Sequence, residues 1–122
     1  MDCVFCEQPE KVLYENAYVY AMYDRYPVSE GHVLIIPKRH VEHYFEATKE
    51  VRHAIDDALI ALKKELDKLY HPDGYNVGIN NGLAAGQTIF HLHVHLIPRY
   101  KNDMENPAGG VRGVIPSKQK YT

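Results

Sequence analysis

From Phe90 to Ile97 the chain reads Phe-His-Leu-His-Val-His-Leu-Ile, an unbroken alternation of apolar and imidazole side chains through its centre. Successive side chains of a β-strand point to opposite faces. The segment is therefore expected to form a strand, from Thr88 to Ile97, with Leu92, Val94 and Leu96 turned to a core. His91, His93 and His95 then share the other face, with neighbouring imidazoles about 6–7 Å apart at their bases, given a rise of ~3.3 Å per residue. A merely solvated face carries Lys, Thr or Glu. Three imidazoles in register, from a chain with 8 histidines in 122 residues, point instead to metal ligation or phosphate chemistry. Imidazole serves both, as a neutral ligand or as a nucleophile and acid near neutral pH.

A second periodicity limits what this strand packs against. Val51, Ile55, Leu59, Leu62, Leu66 and Leu69 recur at three- and four-residue steps between charged residues. That pattern predicts an amphipathic helix over about residues 48–70, roughly six turns long. Pro72 and Gly74 follow it as stop signals. Residues 11–23 hold two short apolar runs divided by Glu15-Asn16, Val33 to Ile36 form a β-branched run closed by Pro37, and Tyr75 to Ile79 alternate. Each reads as a strand. Several strands and one long helix predict an α+β fold built on an antiparallel sheet.

With 122 residues and 14.0 kDa, the chain suits a single domain over 1–122. Residues 100–122, with Asn106-Pro107-Ala108-Gly109-Gly110 and Ile115-Pro116, are expected to form an extended C-terminal arm. Net charge is −2, which argues against a nucleic-acid partner. At 45% hydrophobic and 25% charged residues, the composition excludes disorder and collagen-like repeats. No run reaches the ~18 apolar residues of a membrane span. The amino terminus lacks a basic region followed by an apolar run, so no signal peptide is read there. The expected location is cytoplasmic, where Cys3-Val4-Phe5-Cys6 suggests metal binding or redox work rather than a structural disulfide.

The loop before the histidines bears on the choice between metal and phosphate. Asn80 to Gln87 contains two glycines and two alanines. Such residues let backbone N–H groups approach an anion closely. The loop lacks the Gly-Lys-Ser/Thr of a Walker A motif and a GxGxxG fingerprint. Placed directly before the histidines, it favours phosphate.

The run Gly86-Gln87-Thr88-Ile89-Phe90-His91-Leu92-His93-Val94-His95-Leu96-Ile97 resembles the signature of the histidine triad (HIT) family. Gly31 to His40, Gly-His-Val-Leu-Ile-Ile-Pro-Lys-Arg-His, extends the resemblance upstream. It implies a homodimeric nucleotidyl hydrolase or transferase with a HIT-like antiparallel sheet of about five strands. By that resemblance His93 attacks the α-phosphorus to form a nucleotidyl-imidazole, His95 contacts the leaving group, and His32 orients His93. Gln87, Thr88 and Asn80 match polar contacts to phosphate, with Gly86 in the same loop, and Asp24 matches a ribose-binding carboxylate. The cysteine pair resembles that of zinc-containing branches, which implies a structural zinc on Cys3, Cys6, His40 and His91. Two free thiols or a redox pair are the alternatives. His43, His53 and His71 have no partner pattern and read as surface residues.

A histidine at position 95, where related transferases carry glutamine, argues for hydrolysis. Ile97-Pro98-Arg99 and the tail from Asn106 to Arg112 resemble bacterial dinucleoside polyphosphate hydrolases. Ala108 stands where that resemblance leads one to expect arginine, and Arg99, Lys101 and Arg112 are the cations nearest in sequence. Hydrolysis of dinucleoside polyphosphates or other adenylated compounds is the expected activity, with Arg99 among the substrate contacts. A nucleoside phosphoramidase and a non-catalytic nucleotide- or zinc-binding module are the competing readings.

Overall fold

The computed structural model describes residues 3–121. Five strands form one sheet: β1 (Tyr14–Glu15), β2 (Val19–Tyr23), β3 (Val33–Pro37), β4 (Gly74–Ile79) and β5 (Val94–Arg99). Their order is β1-β2-β3-β5-β4 with every pairing antiparallel. A single long helix, α1 (Lys49–Tyr70), crosses one face. The α+β architecture read from the sequence is thus the architecture observed. No helix among the described residues is long and apolar enough to cross a membrane.

Thr48 starts the helix by accepting a hydrogen bond from the Val51 N–H at 3.2 Å, satisfying a donor that has no partner inside the helix. His71 ends it in the left-handed conformation, φ 51°. The buried stripe is Val51, Ala54, Ile55, Ala58, Leu62 and Leu66. Two alanines allow close approach to the sheet, which an apolar count alone underweights. Leu69, placed on the core face by its spacing, is exposed. The last turn packs Tyr70 against the core instead, and its hydroxyl meets that of Tyr23 at 2.9 Å.

The helix covers Val19, Ala21, Val33, Ile35, Leu92, Val94 and Leu96. On the opposite face Tyr20, Leu34 and Ile36 are buried with Phe5. Strand β3 is therefore buried at every residue, by the helix on one side and in part by the amino-terminal segment on the other. The Tyr20 hydroxyl donates to the Phe5 carbonyl at 2.8 Å, tying that segment down.

The expected strand over residues 88–97 is shorter at its start and longer at its end. Ladder pairing begins at Val94, opposite Ile35, and runs to Arg99. Before it, the backbone finds other partners: the Leu92 N–H donates to the Val41 carbonyl at 2.7 Å. Pro37, which the register would bring opposite Leu92, has no N–H to offer a ladder. The alternation of burial nevertheless holds from Leu92 to Arg99. The tail also differs from an extended arm. It folds on itself through 3₁₀ turns at Gly110–Val114 and Pro116–Lys118, closed by Arg112 to the Lys118 carbonyl and Gln119 to the Ala108 carbonyl.

Candidate active site and metal-ligand cluster

His93 sits one residue before β5 and His95 one residue into it, with ring centroids 5.3 Å apart. Their backbone surroundings fix which ring nitrogen carries the proton. His93 Nδ1 lies 2.8 Å from the His91 carbonyl, an oxygen that only accepts, so Nδ1 holds the hydrogen. The lone pair of neutral His93 is then on Nε2. Nε2 has no hydrogen-bond partner among the described residues.

His32 is fixed in the same way. The Val28 N–H donates to His32 Nδ1 at 3.0 Å, leaving the proton on Nε2. That Nε2–H faces His95 Nδ1 at 3.0 Å and Asp24 Oδ2 at 3.4 Å. His95 accepts at Nδ1 and so presents Nε2–H as a donor. The expectation that His32 orients His93 is corrected here: its ring holds His95, and the backbone carbonyl of His91 holds His93. Burial is the main cause of a His95 pKa pushed down to about 4, with His93 and His32 adding to it. Burial likewise lowers that of His32, against an opposing pull from Asp24. Asp24, His32 and His95 place ligand atoms close together. Because His32 Nε2 carries a proton, the three form a hydrogen-bonded relay rather than a metal cage.

A cavity of about 860 Å³ opens in front of these histidines, within the usual range for small-molecule sites. Val4, Phe5, Pro9, Met22, Leu34 and Ile89 form apolar walls, and Asp24, His32, Asn80, Gly86, Thr88, His93 and His95 supply polar ones. Gly86 adopts φ 94°, a left-handed turn suited to glycine that leaves the loop free of side-chain bulk. Two expected contacts are placed elsewhere. Gln87 is 1% exposed and staples the loop internally, accepting from the Gly82 N–H and donating to the carbonyls of Glu42 and Ile89. Arg99 is held by Asp103 at 2.8 Å and Asn76 at 2.7 Å, away from the cavity lining.

Cys3, Cys6, His40 and His91 converge beside this cavity. The two thiols lie 3.2–3.5 Å from Nδ1 of each imidazole. A zinc tetrahedron with bonds of about 2.0–2.3 Å has ligand–ligand edges of roughly 3.5 Å, so the donor set and spacing fit that ion. His91 Nε2 donates to the Pro37 carbonyl at 2.7 Å, which turns the Nδ1 lone pair toward the thiols, as outer partners of metal-bound histidines do. Both cysteines are free rather than bridged.

Phe5, between the two cysteines, went unassigned in the sequence. Its ring lies 5.1 Å from that of His93 and 6.2 Å from that of His91. The amino-terminal segment is thus a wall of the cavity as well as half of the candidate metal-ligand cluster. The only sequence hint was an aromatic residue enclosed by a ligand pair.

The family profile described as "HIT domain" matches residues 6–102. The chain is 41% identical over 102 residues to the adenosine 5′-monophosphoramidase of Saccharomyces cerevisiae, covering 80% of this chain and 62% of that one. It is 40% identical over 107 residues to an adenylylsulfatase of Arabidopsis thaliana, covering 84% of this chain and 54% of that one, about half of that relative's length. Among solved structures it is similar to a Zn-bound histidine triad family protein from Mycobacterium smegmatis, with TM-score 0.76 and 32% identity over 85% of this chain and 79% of that one. A profile match across most of the chain, together with the histidines just described, makes this chain a member of the histidine triad (HIT) family.

Proposed function

We propose that this protein hydrolyses dinucleoside polyphosphates or related adenylated compounds at the α-phosphate, through a covalent nucleotidyl-His93 intermediate. The observation that carries the reading is Nε2 of His93, without a hydrogen-bond partner among the described residues, on a ring that lines the cavity and is fixed by a hydrogen bond at Nδ1. That lone pair attacks the α-phosphorus, forming an N–P bond as the bond to the leaving oxygen breaks and its electron pair departs with that oxygen. The Nε2–H of His95 donates a hydrogen bond to the departing atom as charge develops there. Water then attacks phosphorus, the N–P bond breaks, His93 recovers its lone pair, and the nucleoside monophosphate leaves with one proton released.

In this reading the apolar walls take the base, Asp24 the ribose, and the backbone at Gly86 with Asn80 and Thr88 the phosphate oxygens. Gln87 shapes the loop from behind. The Cys3, Cys6, His40 and His91 set holds a structural zinc, which when bound ties the amino-terminal wall to the strand bearing His93. The protein acts as a cytoplasmic homodimer.

Phosphoramidate hydrolysis is the second reading, favoured by the phosphoramidase among the relatives. Both reactions share His93. Rapid quenching with substrate should reveal a nucleotidyl adduct on His93 by mass spectrometry, and His93→Ala should lower turnover by several orders of magnitude. Undiminished turnover without an adduct would refute the mechanism.

A further inference from the structure

The amino-terminal wall runs from the reacting histidine to the outer edge of the sheet. Phe5 sits 5.1 Å from the His93 ring, and three residues later Gln8 meets Glu15 on β1, its Nε2 3.2 Å from Oε1. On the cavity face His95 pairs with Leu34, and Leu34 with Met22. Tyr20 of the same face pairs with Glu15, and directly opposed residues of antiparallel strands share a face. Three strand spacings separate β5 from β1, about 14 Å. Gln8, Leu34 and Met22 all line the cavity, so Gln8 stands at its end away from the reacting atoms. With the α-phosphate at His93 and the ribose at Asp24, that end takes the base.

Gln8 is exposed, yet its amide is oriented. Hydrogen bonds from Lys38 and then Gln8 hold the Glu15 carboxyl below its ordinary pKa, and Lys38 Nζ lies 2.6 Å from Oε2. A carboxylate only accepts, so the amide turns its N–H end to Glu15. Oε1 of Gln8 accepts no hydrogen bond among the described residues. One Nε2–H also stays free, since an amide nitrogen carries two. The side chain of Glu7, also exposed in this wall, makes no hydrogen bond or ion pair among the described residues, so nothing directs its carboxylate.

We infer that Gln8, held by Glu15, makes this site prefer purine nucleotides with a 6-amino group to those with a 6-oxo group. The inference rests on the nucleotide reading above and sets the base preference of that same site. An acceptor beside a donor on one amide edge matches adenine, whose exocyclic amine donates beside a ring nitrogen that accepts. A 6-oxo purine places an oxygen where that amine would be, opposite Oε1. Rotating the amide would restore the match, but it would set Oε1 against the Glu15 carboxylate, two acceptors without a proton between them. The walls nearest the base, Phe5, Pro9, Met22 and Leu34, are apolar and grip either purine alike.

Calorimetric titration of the full chain with AMP and with IMP reads the preference as a ratio of dissociation constants, independently of turnover. Wild type should bind AMP about 3- to 10-fold more tightly, the range of one solvent-accessible hydrogen bond. Gln8→Leu should bring the ratio to within about twofold of one. Glu15→Gln, which puts a donor as well as an acceptor beside the amide, should lower the ratio without touching the nucleotide. Glu7→Gln should keep it. A wild-type ratio near one, a preference that survives Gln8→Leu, or one that Glu7→Gln removes, overturns the inference while nucleotide binding stands. A preference unchanged in Glu15→Gln overturns the role given to Glu15. If wild type binds neither nucleotide, the nucleotide reading fails and this inference with it.

Discussion

Nε2 of His32 lies 3.0 Å from Nδ1 of His95, across 63 residues of sequence. With the Val28 N–H occupying His32 Nδ1, the His32 proton sits on Nε2 and the hydrogen bond runs from His32 to His95. His95, which lines the cavity, carries its own proton on Nε2 because His32 leaves it no other neutral tautomer.

Removing that control should matter most where the leaving group needs help. We expect His32→Ala to slow hydrolysis of an adenylate with a poor leaving group, such as an alkyl amine, by about 10²-fold. A p-nitrophenolate, which departs without assistance, should be slowed far less. Equal losses on both substrates would mean that His32 acts through general packing. Steady-state kinetics of the two substrates separate these outcomes.

The His95 pKa carries a stability consequence. Folded His95 titrates at about 4 because burial, then His93 and His32, disfavour its charge, whereas the unfolded side chain titrates near 6.5. Below pH 6.5 the unfolded chain takes up the proton first, so stability is fully present above that pH and is lost as pH falls toward 4. The loss amounts to at most about 3 kcal/mol. Urea unfolding from pH 7 to 4 should show a fall in midpoint that His95→Asn reduces, the remainder having the sign expected of His32, whose pKa burial also lowers. An identical fall in the variant would assign the effect to other groups.

Metal removal tests the cysteine cluster. Purified protein should contain one zinc per chain, and Cys6→Ala well below one. A strong chelator should lower the thermal midpoint and expose both thiols to alkylation, since metal binding and folding are linked. Protein that is zinc-free as purified, with an unchanged melting temperature in Cys6→Ala, would mean that the amino-terminal wall stands without a metal.

Gly31 is the pivot that delivers His32. It adopts φ +90°, and a Cβ there would lie 2.9 Å from Cδ2 of Tyr70 and 3.2 Å from Cγ of Pro98. Gly31→Ala combines backbone strain with overpacking and should destabilise the fold by about 2–4 kcal/mol. Thermal unfolding monitored by circular dichroism measures it, and a midpoint within a degree of wild type would contradict this account.

Local pattern was sufficient for much of this protein. The 3.6-residue period of α1, the two-residue alternation of Leu92, Val94 and Leu96, and the run from Val33 to Ile36 each specify an element, because each depends on which face a side chain takes relative to near neighbours. The four metal-ligand candidates and the pair His93 and His95 were also legible, from spacing and family resemblance. What sequence could not determine was the direction of contacts across the fold. His32 holds His95 rather than His93, and Phe5 lies against His93. Gln87 and Arg99 spend their hydrogen bonds away from the cavity. Strand β5 starts at Val94 because the chain before it finds partners at Val41 and Pro37. Those choices are made between residues distant along the chain, where a hydrogen bond depends on the three-dimensional position of one donor or acceptor. Residue type states what a histidine can do; only the packed sheet, helix and amino-terminal wall decide which of its nitrogens is free to do it.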